Sequence, residues 1–151
     1  MKCNEDGLQI VRDCEGLKLK AYRDSAGVLT IGHGHTGKDV QPNSRIDEHT
    51  AEVLLAQDMA KAEAAVNRLV RVPLNENQFS ALCSFVFNLG EGNLRGSKSV
   101  DALNRKGYIE FASRMLLWDK ARVDGELKTL PGLTKRREME KNLFLRPVVV
   151  K

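Results

Sequence analysis

One short segment near the N-terminus constrains the fold more than any other part of the chain. Over residues 17–22, apolar side chains alternate with lysine and tyrosine, which is the period of a half-buried β-strand. Residues 24–27 then supply turn-forming side chains, and residues 28–31 are typical of a returning strand. The pattern predicts a short antiparallel hairpin, followed by a loop in which Gly32 and Gly34 allow unusual backbone conformations.

The residues before this segment have the spacing of an α-helix. Asn4 or Asp6 can cap the helix, and Gly16 is a natural stop. Glu15 therefore falls in the last turn of the first predicted helix.

After the hairpin the helical spacing returns and continues. Asp47 can cap a helix that runs to about residue 70, a length of about 35 Å. Residues 75–78 form a capping box before a helix that is apolar on most sides and ends at Gly90, so this helix is expected at the buried centre. Shorter helices are predicted at residues 99–106, 108–120 and 134–144.

These elements predict one domain, residues 1–151, of the α+β class and mainly α. A small β-bearing lobe of about residues 15–46 precedes a linking helix of about residues 47–70. A larger helical lobe of about residues 74–146 includes the N-terminal helix. The cleft between two such lobes is a place where a long polymer can lie.

The charge distribution leaves two interpretations open. The formal net charge is +4, and part of the excess lies in the run Lys135, Arg136, Arg137 and Lys141. We favour a solvated helix face for this run. The alternative is attraction to a polyanion, either nucleic acid or a bacterial envelope.

Cysteine usage and hydropathy exclude several classes of protein. The three cysteines lack the spacing of zinc ligands, so we expect no metal site, no cofactor and no disulfide framework. Cys83 is predicted in the core, and a Cys3–Cys14 bridge is a less favoured alternative. No apolar run approaches the roughly 18 residues of a membrane helix. The first residues lack the features of a signal peptide, so we expect the chain to stay in a cytoplasm until another component releases it.

Glu15, Asp24 and Thr30 are candidates for a catalytic site around the hairpin. Two carboxyls and a hydroxyl can protonate a leaving oxygen and position a water, which is the chemistry of glycosidic hydrolysis. The negative end of the helix dipole disfavours the charged form of Glu15 by about 0.3–1 kcal/mol, and burial must supply the rest. Asp24 begins a polar turn, where water and backbone amides favour ionisation. We therefore expect Glu15 as general acid and Asp24 as its charged partner, although these residue types alone are commoner in structural roles.

The order and spacing of the three residues resemble the phage lysozymes, the endolysins that cut bacterial cell-wall glycan. The catalytic frame of that family, Glu-x8-Asp-x5-Thr, falls here on Glu15, Asp24 and Thr30. Further matches are Gly16-Leu17, Ala21-Tyr22-Arg23, Gly27, Ile31-Gly32-x-Gly34-His35-Thr36, Gln78-Phe79-x-Ala81-Leu82-x-x-Phe85-x-Phe87-Asn88-x-Gly90 and Gly132-Leu133-x-x-Arg136-Arg137-x-x-Glu140.

The resemblance implies a lysozyme-like fold and a muramidase that hydrolyses the β-1,4 bond between N-acetylmuramic acid and N-acetylglucosamine. A water held by Asp24 and Thr30 between carboxyls roughly 6.5–9.5 Å apart would invert the anomeric configuration. His35 matches a position that props the active-site lobe by bonding to a carboxylate. Arg136 matches an arginine that can reach the catalytic glutamate, and an ordinary surface arginine is the alternative. His33 departs from the family, because an aromatic residue often stands there.

Three other functions stay open at this point. A lytic transglycosylase cleaves the same bond without water, and Asp24 and Thr30 argue against it. A non-catalytic wall-binding module and a basic nucleic-acid binder are the others; the second lacks interleaved aromatic residues. The expected partner is peptidoglycan, with no nucleic acid and no stable membrane insertion. By analogy with the family, we expect a monomer that leaves the host bacterial cytoplasm through a separate holin-type protein and acts on the periplasmic wall.

Overall fold

Helices and two small antiparallel sheets make up the structure. The computed structural model describes residues 1–149. Within them the helices are α1 (Glu5–Glu15), α2 (Glu48–Leu69), α3 (Glu76–Leu89), α4 (Glu91–Leu94), α5 (Lys98–Asn104), α6 (Tyr108–Met115) and α7 (Pro131–Leu145). The strands there are β1 (Lys18–Arg23), β2 (Leu29–Gly32), β3 (His35–Thr36), β4 (Lys120–Val123) and β5 (Glu126–Thr129). The predicted class, α+β and mainly α, is confirmed, whereas the lobe boundaries stay a prediction.

The helices that position the site begin and end at the expected residues. The Asn4 side chain caps α1, and Gly16 ends this helix with a φ of +72°. Asp47 caps α2. Asn75 and Gln78 form the predicted capping box at the start of α3. The predicted capping signals are confirmed for all three helices.

The chain after α6 differs from the prediction. A helix was expected to about residue 120, but α6 ends at Met115 and the β4–β5 hairpin follows. Asp124 and Gly125 have φ values of +53° and +82°, which suit the two-residue turn of a hairpin. Both strands are mostly polar and exposed, so the apolar alternation that reveals a strand is weak here. Helix α7 begins earlier than predicted, at Pro131, because proline suits the first helical turn.

The N-terminal sheet has the order β1-β2-β3 and is antiparallel throughout. Thr30 of β2 pairs with Tyr22 on one side and with Thr36 on the other. Helix α2 packs against β2 and β3, whereas every residue of β1 is exposed or half-buried. Leu17 and Leu19 are therefore 39% and 40% exposed, and the prediction of a half-buried first strand was wrong for them. Strand β3 and helix α4 are too short to give a sequence pattern.

Helix α3 is the centre of the helical lobe, as its apolar sides predict. It packs against α1, α2 and α7. The Phe85 ring meets Phe111 and Trp118 edge-on, with centroids 5.8 and 6.1 Å apart. Cys83 is fully buried in this core, as predicted. The three cysteines are free thiols, so the alternative bridge between the first two was wrong.

Gly7 is the point of close approach between α1 and α3. A Cβ at this position would lie 2.5 Å from the Sγ of Cys3 and 2.9 Å from the carbonyl oxygen of Ser80. Gly132 in the first turn of α7 is the opposite case, because nothing lies within 4 Å of a Cβ built there.

We expect Gly7→Ala to lower the free energy of unfolding by about 1–3 kcal/mol, because the added methyl overpacks the α1–α3 contact. The matched variant Gly132→Ala is expected to raise it by about 0.4–1 kcal/mol, through the lower entropy of the unfolded chain. Urea unfolding followed by circular dichroism measures both values. Equal stabilities of the two variants would contradict the close packing at Gly7.

Candidate active site

Glu15 is the last residue of α1, and its carboxyl faces a cavity between the sheet and the helical lobe. This cavity, which we call the front cavity, has a volume of about 580 Å³. The Glu15 side chain keeps 23% of its exposure. A Cβ on Gly34 would lie 2.9 Å from the Cδ of Glu15, and Gly34 has a φ of +77°. Only glycine therefore lets the backbone after β2 lie directly against this carboxyl.

Asp24 lies in the turn between β1 and β2 and lines the same front cavity. Its Oδ1 accepts hydrogen bonds from the backbone N–H groups of Ala26 and Val28, both at 2.9 Å. These two amides fix the orientation of the carboxylate and stabilise its charge. The structure thus brings two of the three sequence-predicted site residues to one cavity.

Thr30 is placed differently from the two carboxyls. It is only 4% exposed and is not among the residues that line the front cavity. Its hydroxyl donates to the carbonyl oxygen of Val28 at 2.9 Å. That carbonyl also accepts from the Asp24 N–H at 3.0 Å, so Thr30 braces the turn that carries Asp24. Thr36, the partner of Thr30 across the sheet, lines the cavity instead.

The wall opposite the sheet comes from one face of α2. The face consists of residues three or four positions apart, which share one side of a helix: Asp58, Lys61, Ala62, Ala65 and Arg68. Helices α3 and α4 complete the wall with Val86, Phe87, Asn88 and Glu91. The sequence did not predict this wall, since small and charged side chains at the spacing seen in α2 are also typical of a solvated helix face.

An ion-pair network fixes one end of this wall. Arg68 donates to both carboxylate oxygens of Glu91, and Arg95 donates to one of them at 2.9 Å. Hydrogen bonds from Arg68, and then from Arg95, lower the pKa of Glu91 to about 2. Glu91 is therefore charged at any pH where the protein works, and it holds Arg68 at the cavity.

A second cavity, the rear cavity, lies on the other side of Glu15. Its volume is about 680 Å³, and Glu15 and Asn88 line both cavities. The rear wall adds Asp13 and Cys14 from α1 and residues of α7, including Arg136. Glu15 therefore stands between two open spaces instead of closing the end of one.

The basic run on α7 is not a solvated face. Arg136 and Arg137 are 3% and 0% exposed, so the prediction of a solvated run was wrong for half of it, and Arg136 is not a surface arginine. Both guanidinium groups pair with the buried carboxylate of Glu140 on the same helix. Arg136 Nη1 also lies 3.7 Å from Glu15 Oε1. Glu140 follows Arg136 and Arg137 by four and three residues, so the three side chains share one side of the helix. This spacing was the signal in the sequence that the two arginines could be buried together with a carboxylate.

His35 joins the sheet to α2 through two carboxylates. Its Nδ1 lies 2.8 Å from Asp58 and its Nε2 lies 2.9 Å from Asp39. Because carboxylates only accept, both ring nitrogens must donate, as in the imidazolium form. Burial by itself lowers the pKa of His35, but the hydrogen bonds to Asp58 and Asp39 outweigh it and the net pKa is raised.

His33 connects the same loop to the end of α1. Its Nδ1 lies 2.7 Å from the carbonyl oxygen of Gly16, which accepts the bond. Its Nε2 lies 3.4 Å from Glu52 of α2. The residue that departs from the family pattern is thus a buried connector beside Glu15.

The described residues contain neither a metal-binding cluster nor a membrane-spanning helix. Within residues 1–149, no three His, Cys, Asp or Glu side chains cluster so that they could hold a metal ion. Across the same residues, no helix combines the length and apolarity needed to cross a membrane.

Comparison with known proteins places the chain in a family. The sequence model of the family described as phage lysozyme matches residues 12–140. The chain belongs to the phage lysozyme family. The match covers Glu15 and Asp24 of the front cavity and the buried arginines of α7.

Individual relatives agree with this assignment over nearly the whole chain. The endolysin of Salmonella phage P22 is 42% identical over 149 residues, covering 96% of this chain and 99% of that protein. The solved endolysin of Escherichia coli O157:H7 phage FAHEc1 is 36% identical, with a TM-score of 0.89 and coverage of 100% and 98%. The muramidase domain of SpmX from Asticaccaulis excentricus is also 36% identical, with a TM-score of 0.90 and coverage of 97% and 99%. This phage lysozyme is therefore an enzyme of the muramidase type.

The raised pKa of His35 predicts how stability depends on pH. The ion pairs with Asp58 and Asp39 stabilise the fold fully below about pH 6.5, the value for an unfolded histidine, and this contribution is lost as pH rises through the folded pKa. The stability difference between the native chain and His35→Asn is therefore expected to shrink from pH 5 towards pH 9. Thermal unfolding across this range measures it, with the exposed His49→Asn as control. A difference that grows with pH would contradict the charged form of His35.

Proposed function

We propose that this chain hydrolyses the β-1,4 bond between N-acetylmuramic acid and N-acetylglucosamine in bacterial peptidoglycan, with inversion at the anomeric carbon. The observation that carries the proposal is that Glu15, which precedes β1, and Asp24, which follows it, line one cavity. A polymer in the front cavity would meet both carboxyls, as hydrolysis of a glycosidic bond requires.

Glu15 acts as the general acid in this proposal. It gives its proton to the leaving glycosidic oxygen while it is largely shielded by the backbone at Gly34 and by its own helix end. The carboxylate that results faces Arg136 at 3.7 Å, which stabilises the charge as it forms.

Asp24 acts as the general base for the attacking water. Its Oδ1 is held by two amides, so Oδ2 is left to receive the proton of the water. Thr30 supports this step through Val28, whose carbonyl binds both the Thr30 hydroxyl and the Asp24 N–H. The Thr30 hydroxyl already donates its proton to Val28. A hydrogen bond between Thr30 and the water would therefore be one that the Thr30 oxygen accepts.

Lytic transglycosylase activity on the same bond is the second candidate. It needs an acid such as Glu15 but no base that activates water. The ordered Asp24 carboxylate in the front cavity favours hydrolysis, because a reaction without water has no use for it.

The cellular role that we propose is that of an endolysin. The chain would act on the periplasmic wall as a monomer, after a separate holin-type protein has released it from the host cytoplasm. The support comes from phage relatives that are themselves called endolysins. Binding to nucleic acid is disfavoured further, since two of the four clustered basic side chains are buried.

We expect Glu15→Gln and Asp24→Asn each to lower the rate of wall clearing by about 10²–10⁴-fold, because each removes one proton transfer. The rate is measured as loss of turbidity of bacterial walls, with circular dichroism as the check on folding. Glu126→Gln, an exposed carboxyl in the β4–β5 hairpin, is the matched control and is expected to keep full activity. Full activity of Glu15→Gln would refute its role as the acid.

The products distinguish the candidate functions. Mass spectrometry of digested wall is expected to show fragments that have gained water, and NMR during digestion is expected to show the inverted anomer first. Anhydro products would establish a transglycosylase instead. Binding of wall glycan without products would identify a wall-binding module.

The role of Thr30 has its own test. We expect Thr30→Val to lower kcat because the turn that carries Asp24 loses its brace, with a smaller effect on KM. Thr36→Val, on the neighbouring strand and in the cavity itself, is the comparison. A larger loss of kcat in Thr36→Val than in Thr30→Val would transfer the role to Thr36.

A further inference from the structure

A buried group of charged side chains lies next to Glu15. In the proposed reaction only one of them, Arg136, has a role. This group, which we call the α7 charge cluster, consists of Arg136, Arg137 and Glu140 of α7 with Ser84 of α3. None of the four is more than 3% exposed. It approaches the catalytic candidate at Arg136, whose Nη1 lies 3.7 Å from Glu15 Oε1.

The Arg136 guanidinium is held in place from behind. Its Nε lies 3.3 Å from Glu140 Oε2, and its Nη2 lies 3.3 Å from the carbonyl oxygen of Ser84. Two of its three nitrogens are therefore anchored in the interior, and Nη1 faces Glu15. Arg136 cannot move closer to Glu15 without breaking buried bonds.

Glu140 is the anion on which this arrangement depends. Its Oε2 accepts from the Ser84 hydroxyl at 2.5 Å, and its Oε1 lies 2.8 Å from Arg137 Nε. Arg137 in turn donates to Asn88 at 2.7 Å. Burial raises the pKa of Glu140 and lowers the pKa of Arg137, so each charge depends on its partners to exist there.

The charges of the cluster do not cancel. Two cations, Arg136 and Arg137, share the single anion Glu140, which leaves one positive charge on the side that faces Glu15. Removal of Glu140's charge would double that excess, and removal of Arg137's charge would abolish it. Because the cluster is shielded from water, such changes reach Glu15 with little screening.

We propose that Glu140 and Arg137 are positioning residues that act through Arg136 and set the pH at which Glu15 loses its proton. The inference rests on the proposed role of Glu15 as general acid. In it, Glu140 offsets enough of the arginine charge for Glu15 to keep its proton in the working range. Arg137 supplies the second positive charge of the cluster and donates to Asn88 at the cavity, while Arg136 and Ser84 also contact Glu140.

Other charged or titratable groups line the two cavities with Glu15 or lie near it, and they come from five parts of the chain. They are Asp13 and Cys14 of α1, Tyr22 and Asp24 of the first hairpin, Asp58, Lys61 and Arg68 of α2, Glu91 of α4, and Lys135 of α7. Asp58, Arg68 and Glu91 are already paired with other side chains. None of these groups changes in the variants below, so they form a constant background.

The test is the basic limb of the pH profile of kcat, which reports loss of the acid proton in the bound complex. We expect Glu140→Gln to move this limb to lower pH by about half a unit to one unit, less than a charge in direct contact does. Arg137→Met is expected to move it to higher pH by a similar amount. Glu138→Gln, an exposed neighbour on α7, is the matched control and is expected to leave the limb in place.

Opposite shifts distinguish this role from a merely structural one. Damage to packing would lower kcat in both variants without moving the limb in opposite directions. The double variant, Arg137→Met with Glu140→Gln, restores the charge balance, and we expect its limb to return close to the native position. The double variant also keeps the native excess of one positive charge in the cluster. We therefore expect it to fold even if Glu140→Gln alone does not.

Carbon-13 NMR of labelled glutamate gives a second readout without substrate, with Glu15→Gln used to assign the signal. The titration midpoint of Glu15 is expected to fall in Glu140→Gln and to rise in Arg137→Met. Midpoints and limbs equal to the native ones in the single variants that fold would overturn the proposal, as would a double variant displaced as far as a single one. Activity retained by Glu15→Gln would instead overturn the proposed function, and the NMR midpoints would still decide whether the cluster is coupled to Glu15.

Discussion

The manner in which α1 ends is the constraint on which the site depends. Gly16 leaves the helix with a positive φ, so the chain turns directly into β1 and Glu15 is left at the boundary of the two lobes. His33 fixes this turn by donating to the Gly16 carbonyl, and the backbone at Gly34 closes over the carboxyl. A helix one residue longer or shorter would turn Glu15 away from Asp24, because successive helical residues point about 100° apart.

The helical lobe supplies the second support, from behind. Helix α7 packs along α3 with its arginines turned inward, an arrangement that is stable only because Glu140 and Ser84 meet them there. The sheet is tied to α2 by His35, and α2 also carries one wall of the front cavity. The site is thus assembled from elements far apart in sequence, each held by polar contacts that are mostly buried.

Much of this arrangement was predictable, and the exceptions have physical causes. The caps at Asn4, Asp47 and Asn75 are local signals, since a side chain bonds to an amide two or three residues away, and they fixed the helix starts. Glu15 and Asp24 are separated only by the first strand, so their proximity could also be predicted from the sequence. The burial of Arg136 and Arg137 depends on α3, which is remote in sequence, and local charge alone favoured the wrong interpretation. The β4–β5 hairpin is exposed, so no apolar alternation revealed it.

The two cavities that meet at Glu15 determine from which sides solvent can reach its carboxyl. A glycan strand lying in the front cavity would cover the Glu15 carboxyl on that side and keep bulk solvent away from it. The rear cavity, bordered by the exposed Lys135 and Cys14, opens the other side of Glu15 to solvent. Water could therefore reach the carboxyl from behind while the front cavity is filled.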